Sequence, residues 1–368
     1  MKKLVINRKD LKNNLKIIRK ILNSDGKDDY GNNVKIIAVV KGNGMGLGLM
    51  EYSKFLVNNG IDTLAVANIE EAVLLRNAGI KEEILMLTPI SKEKEIAKLI
   101  ENNITLTVSH KEQIEKIEKI AQSEVKVHIK IDTGFGRYGF LYSEENDILE
   151  AFKMCDKTKI VGTYTHFVRP IDEKFTQKQF DRFLNVISFL KKEGQAPGML
   201  HCSESTAFLK YKIMNLNAVR LGSVIQGRTL VNVQDLAKIG TFKSSIQEIK
   251  TVPKGYNISY GNMYKTKKET KIAVIPVGYM DGLNMKKDRD IFSFKENFLS
   301  VGIEIKKFFR DNNIKVIINN KKYNIIGRIG MYHCVVDITD SEDISVDDEV
   351  ILDVPPMLTN SMIRREYL

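Results

Sequence analysis

The first two-thirds of the chain alternates short, uniformly apolar runs with stretches in which apolar residues recur at helical spacing. The runs are Val34–Val40 (VKIIAVV), Leu64–Ala67, Ile84–Leu87, Ile104–Val108, Lys126–Asp132 (KVHIKID), Lys159–Thr165 (KIVGTYT), Met199–Cys202 and Ala218–Arg220. Most are rich in Val and Ile, as strands of a parallel sheet covered on both faces should be. Between them lie amphipathic patterns such as Asn68–Asn77 (NIEEAVLLRN), closed by Ala-Gly, and Phe175–Lys191 (FTQKQFDRFLNVISFLK). Eight such βα units predict a (β/α)8 barrel over residues 1–238, of ordinary size for that fold.

After Lys238 the period changes. Ser244–Thr251, Lys271–Gly278, Lys315–Ile318, Tyr323–Gly327, Cys334–Ile338 and Glu349–Asp353 read as strands joined by turns, with one helical piece at Phe298–Phe309. A second, mostly β domain is expected over residues 239–368. No Pro- or Gly-rich linker separates it from the first, so the fold class is α/β with an N-terminal barrel and a β-rich C-terminal domain.

Composition narrows the function little. Of 368 residues, 43% are hydrophobic and 28% charged, which is ordinary for a globular protein. Lys+Arg 57 against Asp+Glu 46 gives a net charge of +11. The charge is scattered, with dense stretches only at Lys265–Lys268 and Lys286–Arg289, and Lys outnumbers Arg 44 to 13. A nucleic-acid surface would favour the Arg fork, so no nucleic-acid partner is expected. Cys155, Cys202 and Cys334 are far apart and point to a reducing compartment rather than a disulfide framework or zinc site. The interrupted basic start is no signal peptide, and no run reaches the ~18 apolar residues of a membrane span. A cytoplasmic protein without a membrane partner is expected.

Candidate chemistry clusters at strand ends, where such barrels carry their active groups. The first run ends VVKGNGMGLG, placing Lys41 at the barrel mouth with Gly42, Gly44, Gly46 and Gly48 after it. An amine beside a buried apolar strand has a lowered pKa suited to Schiff-base chemistry. The fifth run leads into DTGFGRYGF with Arg137, and the sixth ends at His166 in TYTHF. The seventh gives HCSES with His201 and Ser205, and the eighth VRLGS with Arg220, Gly222 and Ser223. Ser and Gly-Ser backbone after the last two strands lie where these barrels often hold a phosphate. A Lys, an imidazole, two Arg and a phosphate cradle on one rim point to pyridoxal 5'-phosphate. His201 reads as a satisfied core histidine. His110, His128 and His333 lack ligand spacing, so no metal is expected.

The ordered set of motifs resembles the alanine racemase family of pyridoxal-phosphate enzymes over nearly the whole length. VVKGNGMGLG is similar to VVKANAYGHG, KIDTGFGRYGF to KIDTGMGRLGF, HCSES to HAANS or HCANS, and VRLG to VRPG; THF is shared. In the second domain SYGNMY, IPVGYMDGL and GRIGMYHCVVDIT resemble SYGxTY, VPVGYADGY and GRVSMDxxxVDVT. The resemblance implies racemisation of alanine or another small or basic amino acid by two opposed bases in a homodimer. Lys41 would hold the cofactor and serve one face of the substrate. Tyr260, from the partner subunit, would serve the other. Arg220 would face the pyridine nitrogen, Arg137 the phenolic oxygen and substrate carboxylate, and His166 the cofactor ring. Ser205, Gly222, Ser223 and Tyr367 would bind phosphate, while Tyr279, Met331 and Tyr332 would line the substrate entry. Lys130 matches a position that is often carbamylated.

The chain departs from the family pattern at several points. Met45 stands where a Tyr usually supplies a phosphate-side hydroxyl, Glu204 replaces Asn, and Leu221 and Gln226 alter RPGxxxYG. Tyr332 replaces Asp beside the substrate, an insertion occupies Met285–Lys315, and the C-terminal end is shortened. Two other classes stay open at this point. A non-catalytic pyridoxal-phosphate carrier is one, although single-barrel carriers lack the domain bearing Tyr260. A related amino-acid decarboxylase is the other, disfavoured by Arg220 and by Cys334 lying in a strand.

Overall fold

A computed structural model of the protein describes residues 2–23, 33–285 and 314–368. The helical piece expected at Phe298–Phe309, most of the Met285–Lys315 insertion and the Lys286–Arg289 charge cluster lie outside the described residues. The chain divides into two units, Arg8–Ile239 and a second formed by Met1–Asn7 with Gly240–Leu368. The first seven residues therefore group with the β-rich unit, whereas the sequence placed them in the barrel range 1–238. Their strand, β1 (Lys3–Ile6), is short, and its partners lie more than 200 residues away.

The unit Arg8–Ile239 is a parallel barrel. Its strands are β2 (Lys35–Val39), β3 (Thr63–Val66), β4 (Glu83–Met86), β5 (Leu106–Val108), β6 (Val125–Asp132), β8 (Thr158–Tyr164), β9 (Met199–Glu204) and β10 (Ala218–Leu221). A two-residue strand, β7 (Phe140–Leu141), pairs beside the end of β6. The eight run in the order β4-β3-β2-β10-β9-β8-β6-β5, and a parallel bridge from Leu85 to Thr105 nearly closes the ring. Every apolar run predicted in this region is a strand. Ile37, Ala65, Leu85 and Ala218, from four neighbouring strands, form one buried cluster. The helices have local causes: Asn68 accepts the Glu71 N–H at 2.8 Å to start Ile69–Asn77, and Asp172 accepts from Phe175 N–H at 3.1 Å to start Glu173–Lys192.

The second unit is a nine-stranded sheet. Besides β1 it holds β11 (Thr241–Ser245), β12 (Glu248–Val252), β13 (Thr270–Ile275), β14 (Lys315–Ile318), β15 (Lys321–Ile326), β16 (Cys334–Asp337), β17 (Glu349–Leu352) and β18 (Arg364–Tyr367). The single strand expected at Ser244–Thr251 is two. The backbone changes partner at its middle, where Ile246 N–H donates to Asp348 and Gln247 N–H to Val274. β11 then pairs with β17, and β12 with β13. Among the described residues no helix is long and apolar enough to cross a membrane.

The turn after β6 is built by one carboxylate. Asp132, only 5% exposed, accepts the N–H groups of Gly134 and Phe135 on Oδ1 at 2.8 and 2.7 Å. Its Oδ2 accepts those of Gly136 and Arg137 at 2.8 and 3.2 Å. Four donors wrapped around one anion hold this loop in a single conformation. We expect Asp132→Asn, which removes one acceptor oxygen, to destabilise the barrel by about 1.5–3 kcal/mol in urea titration. Amide exchange at residues 134–137 should accelerate more than elsewhere; uniform acceleration would show that the loop owes its order to something else.

Candidate active site

A cavity of about 670 Å3 opens at the C-terminal ends of the barrel strands. Lys41, Lys130, Arg137, His166, Ser205, Arg220, Gly222 and Ser223 all line it. Every barrel residue singled out from the sequence for cofactor or substrate is thus brought to one place.

Lys41 follows β2 and stands exposed at the cavity mouth. The backbone beyond it makes a left-handed turn: Gly42, Asn43, Gly44, Met45 and Gly46 all have φ between 54° and 86°. Gly46 N–H closes the turn on Gly42 C=O at 2.9 Å. L-residues resist this conformation by roughly 1–2 kcal/mol each, which explains the alternating glycines. Asn43 tolerates it and is held twice, its N–H donating to Glu71 Oε1 at 2.7 Å and its Oδ1 accepting from Leu49 N–H at 3.0 Å. Met45 has no such excuse, and its carbonyl is tied down by Gln226 Nε2 at 3.0 Å. Two departures from the family pattern therefore support each other. Partial burial, reinforced by the Arg137 cation, lowers the Lys41 pKa; Glu71 opposes the shift and Arg220 adds to it.

Arg220 is 4% exposed, and the four N–H of its terminal nitrogens are all engaged. Nη1 donates to His201 Nδ1 at 2.6 Å and His201 C=O at 3.0 Å. Nη2 donates to Thr165 C=O at 2.7 Å and Cys202 C=O at 3.0 Å, with His166 Nδ1 at 3.2 Å. Nε–H is left as the one guanidinium donor without a partner among the described residues. Burial, with the Arg220 charge next, holds the His166 and His201 pKa values well below their ordinary range, so both rings are neutral at physiological pH. Arg137 lies over the Phe135 ring at 4.4 Å, and Phe135 packs against His166 with ring centres 5.4 Å apart.

The candidate phosphate cradle lies after β9 and β10. Ser205 Oγ accepts the N–H groups of Gly222 and Val224, each at 3.3 Å. A Cβ on Gly222 would come within 3.2 Å of the Met45 thioether methyl, so Met45 packs closely against this glycine. Glu204 does not aim a free carboxylate at the cradle. Its oxygens cap the following helix, accepting from Thr206 N–H at 2.9 Å and Ala207 N–H at 3.0 Å.

In the β-rich unit Tyr260, Tyr279, Met331 and Tyr332 gather on neighbouring loops, each more than 40% exposed. Tyr279 N–H donates to Gly330 C=O at 3.1 Å, and the Tyr260 ring lies against Gly330. Tyr260 is presented on strained backbone: Ser259 has φ 62° and ψ −161°, held by its hydroxyl bond to Arg328 C=O. Tyr332 packs under the Lys2 amine at 5.3 Å, and Lys2 is bound to Asp281 at 2.8 Å. Tyr367 lies on β18, opposite Ile6. No group of His, Cys, Asp and Glu with metal-holding geometry occurs among the described residues.

Sequence reasoning passed over Asp132, Glu71 and Tyr164. Asp132 was visible inside KIDTG, next to the Arg it positions. Tyr164, which lies 5.0 Å beneath the Arg220 guanidinium, stood inside TYTHF two residues before His166, whereas Glu71 comes from another element and carries no local signal.

Comparison with known proteins follows from this geometry. Residues 6–229 match the family model for the alanine racemase N-terminal domain, and residues 239–356 that for the C-terminal domain. The chain is 34% identical over 354 residues to an alanine racemase of Methanococcus maripaludis, spanning 92% of this chain and 85% of that one. It is 35% identical over 355 residues to that of Clostridium perfringens, with 92% and 82% covered. The solved structure of alanine racemase from Clostridium difficile 630 superposes with a TM-score of 0.84 at 29% identity, covering 100% of this chain and 95% of that one. A Bacillus anthracis alanine racemase with bound L-Ala-P gives 0.77 at 29% identity over 95% and 85%. The chain belongs to the alanine racemase family and is an amino-acid racemase.

Proposed function

We propose that the protein interconverts L- and D-alanine with pyridoxal 5'-phosphate, as a homodimer whose subunits complete each other's sites. One observation carries this reading: a Lys of lowered pKa shares a cavity with two Arg, a neutral His and the Ser205–Gly222–Ser223 cradle. The donor set fits the cofactor. The Ser205 hydroxyl, which accepts from Gly222 and Val224 and so keeps its own proton to give, and the Ser223 hydroxyl can donate to a phosphate, and the unpartnered Arg220 Nε–H suits an aromatic ring nitrogen. Lys41 would hold the cofactor through its amine, Ser205, Gly222, Ser223 and Tyr367 its phosphate, and Arg137 and His166 its ring. When bound, the cofactor withdraws electron density from the substrate Cα, so that its proton becomes removable.

The chain's own groups then set the reaction. Arg220 stays a cation, being caged by neutral acceptors, and discourages protonation of whatever nitrogen faces it. Arg137 neutralises the substrate carboxylate. Lys41, an amine of lowered pKa, takes or returns the α-proton on one face of the substrate. The Tyr260 hydroxyl of the partner subunit does the same on the other, so inversion needs no turning of the substrate. Tyr279, Met331 and Tyr332 would bound the side-chain pocket and favour a small residue. The Bacillus anthracis relative with bound L-Ala-P supports alanine as that residue.

Lys130 would bear a carbamate. Burial, with Arg137, Arg220 and Lys41 as further causes, lowers its pKa to about 8, so about a tenth of the amine is neutral and able to react with CO2 at pH 7, far more than for an ordinary lysine. The same cations would stabilise the anion formed. Native mass spectrometry in bicarbonate should reveal a gain of one CO2 that diminishes as pH falls below about 8 and is missing from Lys130→Ala. An unmodified wild-type mass at alkaline pH would contradict this.

The two-base assignment is tested by following α-proton exchange from each enantiomer separately. Lys41→Ala should abolish exchange from both, because cofactor attachment is lost. Tyr260→Phe should slow exchange from the L-enantiomer by about 10²–10⁴-fold while leaving cofactor attachment intact. Unchanged exchange from L-alanine in Tyr260→Phe would show that another group serves that face.

A further inference from the structure

From Arg220 a chain of buried nitrogen atoms runs away from the cavity. His201 Nδ1 takes the Arg220 Nη1–H, and His201 Nε2 lies 2.8 Å from His128 Nδ1. Beyond it, His128 Nε2 stands 3.8 Å from Glu83 Oε1. Glu83 opens β4, so the chain ends towards the N-terminal end of the strands, opposite the cavity. Both terminal atoms, His128 Nε2 and Glu83 Oε1, are buried and have no hydrogen-bond partner of their own. Their separation exceeds a hydrogen bond by about 1 Å, which a small shift of the partly exposed Glu83 side chain closes.

Donor and acceptor rules leave one arrangement. A guanidinium can only donate, so His201 Nδ1 accepts and its proton sits on Nε2. That proton goes to His128 Nδ1, and the His128 proton then sits on Nε2, facing a carboxylate that only accepts. Every link points from the cation to the anion. Burial keeps both rings neutral, pushing the His128 pKa down to about 3 and that of His201 well below its usual value, with the Arg220 charge adding to each shift.

The fold makes room for this chain at its own cost. A Cβ on Gly162 would lie 2.4 Å from His128 Cε1, 2.5 Å from Nδ1 and 2.9 Å from the Met199 carbonyl oxygen, so the imidazole and the neighbouring strand together demand glycine there. His201 is clamped from its other face, stacked on Tyr164 with ring centres 4.7 Å apart and planes 8° off parallel.

We propose that Glu83 is a positioning residue for Arg220, acting through His128 and His201. Arg220 sets the tautomers from one end of the chain, and the Glu83 carboxylate, the acceptor facing the last proton, holds them from the other, which keeps the terminal guanidinium N–H groups spent inside the barrel and leaves Nε–H for the cavity. Without that acceptor, the His128 Nε2–H is a buried donor facing nothing, and that cost favours moving its proton to Nδ1, where it confronts the His201 N–H. His201 then turns a proton towards Arg220, and the guanidinium loses its seat. The consequence for rate rests on the racemase reading above; the hydrogen-bond chain does not.

The test compares wild type, Glu83→Gln and Glu83→Leu. Gln keeps an acceptor oxygen, and Leu removes it. Histidine 15N NMR of the full-length protein without added cofactor reads the tautomers, and steady-state racemisation by the loaded protein reads the consequence. Wild type and Glu83→Gln should show both rings as Nε2–H. In Glu83→Leu the His128 tautomer should become mixed, the His201 signals should shift, and kcat should fall on the order of tenfold with KM unchanged, as when outer groups that orient a functional centre are removed. Unchanged histidine signals in Glu83→Leu overturn the proposal, as do altered signals with unchanged kcat. Absence of racemisation in the wild type as well would sink the functional reading, and the histidine signals alone would then decide the chain.

Discussion

The barrel is organised around a cation it has taken out of water. Arg220 is almost wholly buried, and each atom within hydrogen-bonding distance of it is a neutral acceptor. Burying a lone charge costs several kcal/mol, and each charge-assisted hydrogen bond returns about 1.5–3 kcal/mol. The cation is therefore tolerated only while its acceptors stay in place. Thr165, just past the end of β8, and His201 and Cys202 of β9 supply main-chain carbonyls, so the alignment of those strand ends with β10 is tied to this one side chain. A neutral cage also leaves the charge undiminished, as the role proposed for Arg220 of keeping a proton off a neighbouring ring nitrogen requires.

Backbone geometry does much of the remaining positioning. Lys41 sits at the start of a left-handed turn that few residues besides glycine accept, and Arg137 at the end of a loop wrapped round Asp132. In both, the reactive side chain is exposed while its main chain is fixed. Fixing the main chain in advance spares the backbone part of the ordering cost when these side chains engage a ligand. Glu204 illustrates the complementary point: the carboxylate beside the candidate anion cradle is turned to a helix start, whose N–H groups take up both its oxygens.

The sequence was most legible where a pattern is local. The barrel strands announce themselves as Val- and Ile-rich runs because both of their faces are covered. The cavity residues announce themselves because each follows such a run. Non-local relations were hidden. β1 is a four-residue strand paired in parallel with β18 near the far end of the chain, and nothing in KLVI names that partner. Ser244–Thr251 reads as one strand because its composition is continuous, whereas the backbone swaps partners at Ile246. His201 was rightly read as a core residue, yet its link to His128 and Glu83 joins three strands that no spacing rule connects. Family resemblance assigned roles to Lys41, Tyr260 and Arg220, and it offered none for Glu83.

The central claim is that this cavity inverts a small amino acid by removing its α-proton on one face and returning it on the other. Purified protein would be incubated with pyridoxal 5'-phosphate in heavy water and offered L- or D-amino acids one at a time. NMR would follow loss of each α-proton, and chiral chromatography the appearance of the opposite enantiomer. The account predicts exchange with inversion for alanine from either side, with larger and charged amino acids far slower. Exchange without inversion, or no exchange from either enantiomer of alanine while the cofactor is bound at Lys41, would contradict it.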